Sequence, residues 1–347
     1  FIVEVGFGES TGGRRPILYE ANKDYAFVFG LEIARASSRL VLCDMHLNVL
    51  ESKRWQMNEQ STPQFLIREV ADAAVAMMKR RGIGRERVLG MGIGAVGPLD
   101  RHAGIILEPR SFPASGWRHV PIVAEMEAAL GIPAVLDNGA NAALLGEYWM
   151  DRSDEYEHLL YVHAGVGIRS AMMSGGKLVY GAVDMEGAVG QMIIQSDGVP
   201  HREGGNYGCL ESYVSTHAVV KEAQSKLKQG RRSRLSEMGM SPEQVDFDQL
   251  VEALKAGDSL AGEIFEQTAV YLGIGLANLL NTLHPEKVIL GGPLISAHPL
   301  IFDVAVETAL KKTYYYPVYK AVFSRGALGD EALAVGAAAM VVNLLSE

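Results

Sequence analysis

The residues able to do chemistry lie in short segments punctuated by glycine: DNGANAALLGE (Asp137 to Glu147), HAGVGI (His163 to Ile168), EGAVGQM (Glu186 to Met192), GCLESYVS (Gly208 to Ser215) and VILGGPLI (Val288 to Ile295). Glycine turns expose backbone amides that hold phosphates, and a nearby carboxylate can take the proton from an attacking hydroxyl, so phosphoryl transfer is the chemistry to test. Side-chain amides such as those of Asn138 and Gln191 both donate and accept, which suits them to hydroxyl-rich ligands. Arg110, in LEPRSFPASGW, carries a guanidinium that could pair with a carboxylate or phosphate, or brace its own loop. Trp117 could stack on a sugar, but packing in a core is the expectation, as it is for Met172, Met173, Met185 and Met192.

Metal chemistry has little to work with. Only Cys43 and Cys209 occur, far apart and without a CxxC pair, so neither a disulfide framework nor a self-contained zinc site is indicated, and a reducing cytoplasm is the simplest setting. The 347 residues carry a net charge of -9, which argues against a broad nucleic-acid or membrane surface within them. The one basic run, Lys226 to Arg234, reads as a solvated loop. No apolar run approaches the ~18 residues of a membrane span.

The elements that must position these segments follow from periodicity. A length of 347 residues with a 48% hydrophobic fraction fits two well-packed lobes. From Tyr25 the chain reads as an antiparallel meander with a polar turn at His46-Leu47-Asn48. Apolar Phe65, Leu66, Val70, Ala73, Ala74 and Met77 then mark a helix over Thr62 to Arg81, ended by Gly82. A strand over Val88 to Val96, a helix over Ile122 to Leu130 and a strand at Ala134-Val135-Leu136 complete the first lobe. A second copy begins near Leu159 with paired strands, then long helices and a strand over Val288 to Leu290. The order repeats, as in the α/β, two-lobed, duplicated ribonuclease-H-like architecture of actin- and hexokinase-type ATPases. The alanine-rich last helix is expected to pack back on the first lobe. The expected division is an N-terminal segment 1–24, 25–138 plus 333–347 as the first lobe, and 139–332 as the second.

The five segments above, together with GESTGGRRP (Gly8 to Pro16), GAVGPLD (Gly94 to Asp100) and the hairpin GVGIRSAMMSGGKLVYGA from Gly165, jointly resemble the ROK family of repressors, open reading frames and sugar kinases. The N-terminal piece resembles the repressor branch, in which a winged helix-turn-helix domain runs into a GGRRP-type stretch, which implies that 1–24 is the tail of such a DNA-binding domain and its linker. The resemblance implies operator DNA bound through an upstream domain outside this chain, and a sugar or sugar-derivative effector bound in a cleft that closes on it. It also implies a homodimer or dimer of dimers, and no membrane role.

Measured against that family, the chemistry is degenerate. Gly139 stands where the kinases carry the general-base aspartate, and loss of a general base costs about 10²- to 10⁴-fold. Asp137 is a poor substitute, lying about 7 Å back along a strand. The first phosphate turn corresponds to Glu32-Ile33-Ala34-Arg35-Ala36, without glycine, whereas Gly165, Gly167, Gly291 and Gly292 remain as remnants of the nucleotide loops. The zinc set corresponds to Gln191, Arg202, Gly204 and Cys209, with His201 able to offer one further nitrogen, so no metal and no cofactor are expected. Asn138 and Glu211 match sugar-binding positions. The family glutamate corresponds to Ala188, with Glu186 two residues earlier as a partial substitute, and Gln191 and Arg110 complete the candidate sugar contacts. The expected function is a sugar-responsive repressor without enzymatic activity; the alternative is a sugar kinase using Asp137 or Glu186 as base.

Overall fold

The computed structural model describes residues 2–8, 15–109, 112–151, 156–183, 188–201, 206–237 and 239–344. The chain divides into two units, Phe1–Met150 with Glu331–Glu347, and Asp151–Asp330.

The first unit opens with a two-stranded antiparallel hairpin, β1 (Ile2–Phe7) and β2 (Ile17–Ala21). Three antiparallel strands follow, β3 (Phe27–Ile33), β4 (Ser37–Asp44) and β5 (Val49–Gln56). The turn between β4 and β5 is closed by Asp44, which accepts from the backbone N–H groups of His46 and Asn48 at 2.9 Å while Leu47 takes a left-handed φ of 62°. Helix α1 (Pro63–Arg81) starts where Thr62 accepts from Phe65 N–H and stops at left-handed Gly82, because a hydroxyl cap and a residue free to take positive φ satisfy the two ends. Strand β6 (Val88–Ala95), the short pair β7 (Leu99–Asp100) and β8 (Ile105–Ile106), helix α2 (Ile122–Leu130), strand β9 (Ala134–Asn138) and helix α3 (Gly139–Met150) complete this stretch. The sheet order is β5-β4-β3-β6-β9, with β6 and β9 parallel to β3.

The second unit repeats the plan. Strands β10 (Leu159–Ala164), β11 (Ile168–Ser174) and β12 (Lys177–Leu178) form the antiparallel part. Helices α4 (Thr216–Lys228), α5 (Arg234–Glu237), α6 (Phe247–Lys255) and α7 (Ser259–Leu283) lead to β13 (Lys287–Gly291). After α8 (Pro293–Ala297) and α9 (Pro299–Lys312), β14 (Val322–Ser324) closes a sheet ordered β12-β11-β10-β13-β14. The two sheets share one topology, three antiparallel strands followed by two parallel ones, which is the duplication that the order of motifs implies.

The final helix, α10 (Ala332–Leu344), returns to the first unit. Its small residues bring backbone against backbone: a Cβ at Gly30 of β3 would lie 1.9 Å from Ala334 O, one at Gly92 of β6 1.7 Å from Ala337 O, and one at Gly336 1.9 Å from Ala142 O of α3. The expected boundary after residue 138 is therefore misplaced by one helix. Sequence order puts α3 at the head of the second lobe, but its buried Ala140, Ala142, Ala143 and Leu144 pack with α10 and stay in the first unit.

The basic run of α4 and the turn beyond it is neutralised locally. Lys226 and Arg231 both reach Glu263, at 3.0 and 2.6 Å, and Lys228 reaches Glu243 at 3.0 Å. Among the described residues no helix is long and apolar enough to cross a membrane. Gly92→Ala is expected to lower the thermal midpoint by several degrees, since overpacking against a backbone carbonyl costs about 1–3 kcal/mol or more. Gly262→Ala in α7, where a Cβ meets nothing within 4 Å, is expected to leave the midpoint unchanged or raise it.

Candidate functional site

In the first unit the chemistry-bearing residues sit where β9 becomes α3. Asn138 ends the strand and caps the helix, its Oδ1 accepting from Ala140 N–H at 2.7 Å and Asn141 N–H at 3.2 Å. Asp137 Oδ1 accepts from Asn138 N–H at 2.6 Å and Asn141 Nδ2 at 3.0 Å, so it is engaged by two donors. The cap occupies the carbonyl end of Asn138 and leaves the amino end. Asn138 is 0% exposed, and its Nδ2 has no hydrogen-bond partner among the described residues. A buried donor left unsatisfied costs about 1–3 kcal/mol, so this atom carries an unmet demand for an acceptor.

At position 139 a Cβ would lie 2.9 Å from Leu333 Cδ2 of α10. The place from which a carboxylate would project is thus bordered by an aliphatic side chain. The turn from β3 to β4 runs through Ala34, Arg35 and Ala36 with none of them at positive φ, so it is a plain hairpin turn of ordinary residues.

In the second unit Glu211 is the centre of the arrangement. It lies on a 3-10 turn, Leu210–Ser212, and its Oε2 accepts from Ile168 N–H at 2.9 Å. A Cβ at Gly167 would approach the same oxygen to 2.6 Å and one at Gly190 to 3.0 Å, so both glycines make room for the carboxylate. Gly190 belongs to the 3-10 turn Ala188–Gln191, so this turn passes beside Glu211 at Gly190. On the other side His201 Nε2 stands 3.3 Å from Glu211 Oε1. The sequence places His201 beside the zinc positions; in the structure the ring is turned to Glu211, a contact made possible by the Pro200↔Tyr207 bridge, which no local pattern announces.

The remaining glycines answer to packing. Gly165 N–H donates to Gly167 O at 3.0 Å within its own turn. A Cβ at Gly291 would meet Tyr161 OH at 2.4 Å, and left-handed Gly292 lies against the carbonyl of Ala164. Cys209 is buried with its Sγ 3.1 Å from Ser212 Oγ, and among the described residues no group of three or more His, Cys, Asp or Glu could hold a metal ion. Glu186, Arg110, Arg202, Gly204 and Met185 lie outside the described residues. Trp117 is a core residue, 4% exposed, with its indole N–H donated to Ser61 O at 2.9 Å.

His163, which the sequence offers only as the start of a glycine turn, lies on β10 with a buried Nδ1 that has no hydrogen-bond partner among the described residues, and desolvation, aided by Arg169, lowers its pKa from 6.5 to about 4.

The ROK family model matches residues 28–343. The chain belongs to the ROK family. It is 29% identical to a xylose repressor of Caldicellulosiruptor bescii over 99% of this chain and 85% of that protein, so this match runs through the β1–β2 hairpin as well. It is 27% identical to a glucokinase of Halalkalibacterium halodurans over 70% of this chain and 74% of that protein. A crystal structure of a ROK family transcriptional regulator, a homologue of the E. coli MLC protein, superposes with a TM-score of 0.77 at 20% identity, covering 98% of this chain and 85% of that one, which establishes the fold. The architecture is thus the α/β sugar-kinase and actin-type ATPase fold.

The His163 environment has a measurable consequence. Imidazole in the unfolded chain takes up a proton near pH 6.5, whereas the folded protein resists until about pH 4, so stability is full above 6.5 and declines as the pH falls toward 4. That decline amounts to on the order of 3 kcal/mol. Denaturant unfolding of His163→Gln at about pH 4.5 and about pH 7.5 is expected to show a smaller difference than the native chain does.

Proposed function

We propose that this chain is the effector-binding and dimerisation part of a sugar-responsive transcriptional repressor that has given up kinase chemistry. The observation that carries the reading is at residue 138. An amide donor is held ready for a ligand hydroxyl, and the neighbouring position offers Leu333 where phosphoryl transfer needs a base. The repressor match supports it by extending through the N-terminal hairpin, ahead of the segment that the family model covers.

The effector is an aldose, with D-xylose the first candidate from the named relative, and Asn138, Gln191 and Glu211, with Glu186 and Arg110, are its proposed contacts. No ATP, zinc or other cofactor takes part. Sugar binding shifts the population between two states of a homodimer, or dimer of dimers, and so changes how an upstream winged helix-turn-helix domain holds operator DNA in the cytoplasm.

The glucokinase match motivates the opposing reading, a kinase with Asp137 or Glu186 as base. Engagement of Asp137 by two donors weighs against the first of these. Purified chain with ATP, magnesium and a panel of neutral, amino and acidic sugars is expected to form no sugar phosphate, and Gly139→Asp alone is expected to form none either. Turnover at about 1–100 per second would overturn the repressor reading.

Titration calorimetry of the same panel is expected to show binding of a neutral aldose. Asn138→Ser keeps a capping oxygen for α3 and removes the amide donor, so folding stability is expected to change by less than about 1 kcal/mol. Loss of a polar partner in a site built for hydroxyls is expected to weaken the sugar about tenfold or more. Unchanged affinity would remove Asn138 from the site.

A further inference from the structure

We propose that His201 is a positioning residue for the effector, holding the Glu211 carboxylate in the orientation in which it reads a sugar hydroxyl; the inference rests on the assignment of Glu211 as an effector contact.

The segment that delivers His201 is tied down on both sides of residues 202–205. Ile193 bridges to Cys209 and Pro200 to Tyr207, His201 N–H donates to Asn206 O at 2.9 Å, and Gly208 N–H donates to Val199 O at 2.9 Å. Val199 N–H donates to Tyr213 OH at 2.9 Å, which links the segment to the chain just beyond Glu211. The imidazole therefore reaches Glu211 from a backbone that is itself held, rather than from an exposed tail.

The carboxylate needs that second contact. Ile168 N–H fixes Oε2, and Gly167 and Gly190 set its limits, while contacts at both oxygens orient the carboxylate plane more narrowly than a contact at one. The Nε2 of His201, 3.3 Å from Oε1, supplies such a contact at the second oxygen. Both side chains are mostly screened from water, with 14% of His201 and 16% of Glu211 exposed, so the pair is not an ordinary surface contact of little consequence. Discrimination among hydroxyl patterns depends on polar groups held in one direction, because a misaligned acceptor leaves a buried hydroxyl unpaired. His201 thereby makes residues 193–201 and 206–209 part of the effector-reading apparatus.

The test uses the whole chain, D-xylose and D-glucose as probes, and two substitutions. In His201→Ala, calorimetry is expected to show binding weakened about tenfold to a hundredfold, the range for a hydrogen bond to a charged group. His201→Gln, whose side-chain amide can donate to the same oxygen, is expected to recover most of that loss. His201→Ala combined with Glu211→Gln is expected to cost less than the sum of the separate losses, as residues acting through one another do. Native affinity in His201→Ala, or equal weakness in the Ala and Gln variants, would overturn the proposal.

A ligand-free readout separates this proposal from the effector reading. Amide hydrogen exchange at Ile168, the donor to Glu211 Oε2, is expected to quicken about fivefold or more in His201→Ala and to stay near native in His201→Gln. Should the native chain bind neither sugar, the effector assignment fails, while unaltered Ile168 exchange in His201→Ala would sink the positioning role on its own.

Discussion

The contact on which the first unit depends is backbone against backbone, where α10 lies on β3 and β6 and against α3. With added Cβ atoms at Gly30, Gly92 and Gly336 falling within 1.9 Å of carbonyl oxygens, no side chain larger than hydrogen is compatible with this spacing. The arrangement fixes the height of α3 over the sheet. It thereby fixes where β9 must end and where Asn138 must cap, and it brings Leu333 to Gly139. The cap made by Asn138 and the aliphatic border at residue 139 both follow from where this helix lies.

The second unit solves a related problem by a different device. Glu211 is fitted into a recess whose walls are glycines, with a backbone amide at one oxygen and an imidazole at the other. Glycines at 167, 190, 291 and 292 each have a packing role in the folded chain. Retained glycine motifs are therefore no measure of retained phosphate chemistry here. The turn from β3 to β4, where the resemblance put the first phosphate turn, carries ordinary residues with ordinary torsions.

What could be read in the chain was what local chemistry decides. The Thr62 and Gly82 ends of α1, the limits of α2 and the alternation of strands in both sheets follow from caps, periodicity and turn residues, and they agree with the structure to within a residue or two. Family-like motifs in order named the fold class, because duplicated strand and helix order leaves few architectures open. The unit boundary was not legible. Whether α3 joins the elements before or after it depends on α10, nearly two hundred residues away, and no local signal records that partner.

The site divides in the same way. Residue identity alone determined that position 139 has no acceptor and that one thiol is left in the zinc set, since absence of a side chain needs no coordinates. Only the tertiary structure decided that Asn138 uses its carbonyl as a cap and keeps its amide, that Leu333 borders residue 139, that Trp117 and Ser61 satisfy one another, and that His201 turns to Glu211. Each of these is a contact between segments distant in sequence, and its direction is set by how the backbone is packed rather than by the neighbours along the chain.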